Sequence, residues 1–119
     1  MRRILAASSV VVLALVGLSA CGDDDGSGSD ADPKIIKIRF RDGEVTPSGD
    51  RIEVEKGQEV QFVVAADEPG EIHVHSEPDE HEFEYDEGEE TFELEFDKAG
   101  VVEVESHDLE QVIVQLEVR

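Results

Sequence analysis

The sequence has a single cysteine, Cys21, so no intramolecular disulfide can form. Its one methionine is Met1, which leaves residues 34–119 without any sulfur ligand for a soft metal. Basic residues are also scarce, with 10 Lys and Arg against 31 Asp and Glu. A phosphate partner needs a basic face, so nucleic-acid binding is excluded. No apolar run approaches the roughly 20 residues that cross a bilayer as a helix. No long 3.6-residue period occurs, and there is no nucleophile elbow, phosphate loop or dinucleotide fingerprint. Ser106 and His107 are adjacent, so on a strand their side chains leave opposite faces and cannot form a catalytic pair. No enzyme activity is expected.

At the N-terminus, Arg2 and Arg3 precede an apolar stretch from Ile4 to Val16, followed by small residues. This is the three-part layout of a secretory signal. It ends in Leu18-Ser19-Ala20-Cys21, which resembles the bacterial lipobox. The resemblance implies cleavage after Ala20, lipidation of Cys21 and attachment to the outer face of the cytoplasmic membrane, in the cell envelope. It also gives the lone thiol a role in a secreted protein. Residues 22–33, GDDDGSGSDADP, hold no large apolar side chain and read as a flexible acidic tether. The expected organisation is a signal peptide over 1–20, lipidated Cys21 and linker over 21–33, and one small domain over 34–119. That domain is expected to be monomeric.

Removing residues 1–20 takes away Arg2 and Arg3 and no acid, leaving 8 cations against 31 acids and a formal charge of −23. The acid supports solubility and also offers attraction to cations or to a basic envelope protein.

Apolar residues alternate through the domain at Ile36/Ile38/Phe40, Ile52/Val54, Val60/Phe62/Val64, Ile72/Val74, Phe83/Tyr85, Phe92/Leu94/Phe96, Val102/Val104 and Val112/Val114/Leu116/Val118. The intervening residues are mostly Glu, the pattern of strands with one wet face. Turn signals at Asp42-Gly43, Pro47-Ser48-Gly49, Lys56-Gly57, Glu68-Pro69-Gly70, Glu87-Gly88 and Ala99-Gly100 separate the runs. The spacing predicts an all-β sandwich of about eight strands, rich in antiparallel pairs. Even-numbered apolar residues from Phe92 to Val104 are expected to face inward.

Four segments, VTPSGDRIEVEKGQEVQFVV, GEIHVHS, TFELEFDKAGVVEVESH and VIVQLEV, resemble in order the Greek-key cupredoxin sandwich. The HVH element and the late E-x-H element are similar to those of cupredoxin-like domains in actinobacterial lipoproteins. The resemblance implies that GEIHVHS lies where the family's first histidine ligand ends a strand, and that Ser106 stands at the family's cysteine position. A serine hydroxyl does not replace a thiolate, so the expectation is a module of this fold that binds a divalent metal or a small ligand through surface histidines, and not a blue-copper electron carrier.

His73 and His75 lie two apart on a predicted strand and so share its outer face, opposite Ile72 and Val74. Two such imidazoles suit Cu²⁺ or Zn²⁺. If the strand bearing His107 runs alongside, His73, His75 and His107 supply three ligands, with Glu105 or His81 as a fourth. His81 reads as a solvated histidine in the acidic loop after Pro78. The same residues also read as the polar face of a strand in a purely structural or interaction domain. Whether the three histidines converge separates the two.

Overall fold

A computed structural model describes residues 30–119. The expected signal peptide, Cys21 and most of the expected linker lie outside the described residues. Nine strands follow in chain order: β1 Lys34–Arg41, β2 Glu44–Thr46, β3 Asp50–Val54, β4 Glu59–Ala66, β5 Gly70–His75, β6 His81–Tyr85, β7 Gly88–Glu95, β8 Gly100–Ser106 and β9 Gln111–Val118. They form a four-stranded sheet ordered β2-β1-β4-β7 and a five-stranded sheet ordered β3-β9-β8-β5-β6. Pairs β1/β4 and β3/β9 are parallel; the other five are antiparallel.

The all-β, antiparallel-rich sandwich matches the alternation. The strand beyond the expected eight is β2, only three residues long, which carries no repeat of the pattern. A type I′ hairpin turn creates it. Asp42 and Gly43 have φ values of 53° and 75° and reverse the chain so that Arg41 pairs with Glu44. His81 is also reassigned: it opens β6 and pairs with Val74, so the loop is shorter than expected.

The core is built from the inward phases. Ile36, Ile38, Val60, Phe62 and Val64 from one sheet meet Ile72, Val74, Val104, Ile113, Val114 and Leu116 from the other, all almost fully buried. Even-numbered apolar residues do face inward from Phe92 to Val104: Phe96, Val102 and Val104 are buried, and Phe92 and Leu94 pack half-buried against the core. At about 1.5–3 kcal/mol per buried side chain, this burial is the main stabilising contribution. It also fixes the site, because anchoring Ile72 and Val74 forces His73 and His75 to the outer face of β5.

Candidate metal centre

β5 is an interior strand between β8 and β6. The register sets His73 opposite Glu105 on β8 and Glu82 on β6, and His75 opposite Glu103 on β8. Each imidazole therefore emerges between acidic neighbours on one face. The His73 and His75 rings lie 4.2 Å apart between centroids at 36°. The loop leaving β5 brings in a further acid. Ser76 Oγ donates to the Asp79 carbonyl at 2.5 Å, and Lys98 Nζ pairs with Glu77 at 2.6 Å. So pinned, the loop turns Glu80 back over the histidines.

Glu80 spans the pair. One carboxylate oxygen is 3.3 Å from His73 Nε2 and the other 3.4 Å from His75 Nδ1. One ligand atom from each of His73, His75 and Glu80 lies within 4.8 Å of the others. Metal bonds of about 2.0–2.2 Å in tetrahedral geometry space the ligands roughly 3.3–3.6 Å apart. Each Glu80 oxygen has this spacing from one of the two imidazoles. His73 Nε2 is buried and has no hydrogen-bond partner: Glu80 is near enough but off the axis a hydrogen bond needs. An unpaired buried nitrogen is costly, and a cation among these three groups would remove that cost.

Glu105 plays a different part. Its Oε2 is 3.1 Å from His75 Nε2, on the far side of the ring from Glu80. In the neutral ring this bond places the proton on Nε2 and frees the Nδ1 lone pair toward His73 and Glu80. A carboxylate holding the outer nitrogen of a ligating histidine is the usual orienting arrangement. Burial is the largest single influence on the His75 pKa and lowers it. The hydrogen bonds to Glu105 and Glu80, with the charges of both, together outweigh it and leave the pKa above the ordinary value.

The structure thus brings together two of the three expected histidines. His107 shares their outward direction but lies past the end of β8, where its Nδ1 is 3.1 Å from Glu71 and its side chain is 73% exposed. The Glu71 hydrogen bond and charge, the leading causes, raise its pKa. It is not in the His73–His75–Glu80 group. His81 belongs to the opposite face: on β6 it has the phase of Phe83 and the buried Tyr85, and its ring stacks toward Phe83 at 6.3 Å. Sequence reading passed over Glu80 as a ligand here because only the fold of the Ser76–Glu80 loop brings it to the pair. The signal available was its position five residues after His75, beyond a proline.

Ser106 also faces inward. It pairs with Ile72, is fully buried, and its Oγ accepts a hydrogen bond from the Leu109 backbone N–H at 3.3 Å. The residue at the family's cysteine position and the His73–His75 pair therefore lie on opposite faces of one sheet. They cannot ligate one ion.

No protein-family model matches the sequence. No curated protein matches it either. Solved structures do match. A purple cupredoxin from Nitrosopumilus maritimus superposes with a TM-score of 0.54 at 18% identity, covering 72% of this chain and 99% of that one. The Cu(I) form of one amicyanin variant gives 0.54 at 14% identity, with 75% and 85% coverage. Another amicyanin variant in its Cu(I) form gives 0.53 at 12% identity, with 71% and 82% coverage. The chain has the cupredoxin fold. Within that fold the donors needed for a blue-copper site do not fit here, since residues 30–119 contain no thiolate and no thioether. The imidazole and carboxylate donors of this cupredoxin-fold domain are on the outer face of the five-stranded sheet.

Proposed function

We propose that the protein is a membrane-tethered, extracytoplasmic, non-enzymatic binding module that holds one divalent transition-metal ion through His73, His75 and Glu80. The observation that carries this reading is the buried, unpartnered His73 Nε2 beside the Glu80 carboxylate and the second imidazole. Two imidazoles and a carboxylate suit Cu²⁺ or Zn²⁺, and the Irving–Williams order favours Cu²⁺ among divalent ions. That amicyanin neighbours are described in Cu(I) forms is consistent with a metal role, though through other donors. The Leu18-Ser19-Ala20-Cys21 segment supports the lipid anchor.

An acidic protein takes up cations unspecifically, so the test is calorimetry in about 0.5 M salt, where the Debye length falls to a few ångströms. A saturable one-to-one site lost in His75→Ala and kept in His107→Ala supports the reading. Equal affinity in His73→Ala, His75→Ala and Glu80→Gln overturns it and leaves an interaction domain whose acidic face meets a basic envelope partner. The anchor is tested separately: Cys21→Ala is expected to release the protein from membranes or block its processing, and unchanged fractionation would refute it.

A further inference from the structure

The outer face of the four-stranded sheet is ordered by charge. β1 presents Ile35, Lys37, Arg39 and Arg41, all exposed. β4 presents Glu59, Gln61, Val63 and Ala65, each half-buried. β7 presents Glu89, Thr91, Glu93 and Glu95, all exposed. The register lines these up in rows: Arg39, Ala65 and Glu89; then Lys37, Val63 and Thr91; then Ile35, Gln61 and Glu93. One flank, β1, is cationic, with Thr46 and Glu44 of β2 beside Arg39 and Arg41; the middle is small and apolar at Val63 and Ala65 and polar at Glu59 and Gln61; the other flank, β7, is acidic. At about 4.8 Å per strand the flanks stand roughly 10 Å apart.

The cations are conspicuous against the composition. A chain with 10 cations and 31 acids sets three of them in succession on one face of one strand. Among the described residues Lys37 and Arg39 form no ion pair, and Arg41 meets only its neighbour Asp42, at 3.8 Å.

We infer that this face binds a second copy of the same chain. A two-fold rotation about an axis parallel to the strands and lying over β4 lays the face on itself. β1 of each copy then covers β7 of the other, and β4 covers β4. Such a rotation keeps position along the strands, so Arg39 of one copy meets Glu89 of the second, and the reverse. Lys37 falls between Glu89 and Glu93 of the second copy, while Gln61, Val63 and Ala65 meet their own counterparts on the axis and Glu59, at the end of β4, is the one charge that meets its own kind. The contact is isologous, as a closed dimer requires, and sheets stack face to face within about 30° of alignment. Net negative charge opposes association at long range. At physiological ionic strength the Debye length is about 8 Å, so distant charges are screened while the facing rows remain in contact. Rim charge rows of this kind set register and partner choice.

The test places Val63→Cys in the full chain, reconstituted in phosphatidylcholine vesicles and treated with a short bismaleimide. The unsubstituted chain supplies the background, and Val101→Cys, 61% exposed on the other sheet, reports random collision. Cross-linked dimer well above both controls is expected. Adding Arg39→Glu, which sets like charges opposite Glu89, lowers its yield roughly tenfold or more. Glu89→Arg alone does the same, and Arg39→Glu with Glu89→Arg restores it. Cross-linking no greater than with Val101→Cys, or a double exchange that fails to restore it, overturns the proposal.

Discussion

His75 and His107 each have a carboxylate oxygen 3.1 Å from a ring nitrogen, yet their settings differ. His107 stands 73% exposed, and among the described residues Glu71 is the carboxylate paired with its ring. His75 is half as exposed, with a second carboxylate at its other nitrogen and a second imidazole 4.2 Å away. A histidine–acid contact is therefore not what distinguishes a metal site in so acidic a chain. What distinguishes it is the convergence of several donors on a partly buried point, including one donor with nothing else to bind.

The largest effect comes from removing the support both histidine clusters share. Ile72 is buried under β5 and pairs with Ser106 and Phe83. Ile72→Ala should cost about 2–5 kcal/mol of stability, read by urea denaturation, and loosen both clusters together. A loss well below that would show that the plank is not what aligns them. Next, Glu105→Gln should weaken metal binding about 10–100-fold by removing the carboxylate that orients His75. Glu71→Gln beside His107 should leave the affinity unchanged, and equal losses would erase the distinction.

The pH dependence sharpens the contrast further. Both imidazoles titrate above the ordinary value of about 6.5. A raised folded pKa means that the stabilisation is fully present below about pH 6.5 and is lost as pH rises through the higher folded value. Proton NMR titration should show the His75 midpoint falling in Glu105→Gln while that of His107 stays put, and the reverse pattern in Glu71→Gln. Binding of Cu²⁺ should weaken as pH falls through the His75 midpoint, since protonated imidazole does not ligate. The smallest effect is an expected absence. Ser106→Cys places a thiolate at the family's cysteine position, but His73 and His75 are across the sheet and His81 is two strands away. Copper-loaded Ser106→Cys should show no strong charge-transfer band near roughly 600 nm, the region expected of a His₂Cys copper site. Such a band would mean that an imidazole reaches the inner face.

The alternation of apolar residues with Glu made the sandwich legible, because a two-residue period has only one way to bury its apolar half. The same logic gave the outward direction of His73 and His75. The failures came where side-chain direction depends on more than period. His107 kept the outward phase, but it follows the last residue of β8, and the register carries it to Glu71. His81 read as loop because the loop before it was assumed longer, and joining β6 put it on the inner phase with Phe83. Glu80 joins the histidines only through the fold of the Ser76–Glu80 loop, which no periodicity encodes. The charge rows of β1, β4 and β7 depend on strand order, and sequence order separates them by whole elements.

Each sheet has open edges, and carboxylates line all four: Glu44 on β2, Glu89, Glu93 and Glu95 on β7, Asp50 and Glu53 on β3, and Glu82 and Glu84 on β6. Unpaired edge strands invite other chains to add on and grow fibrils, and edge charge is a common defence. This protein's protection against aggregation is therefore the charge along its edges. Two neighbouring molecules repel along their edges and are left to meet through their faces.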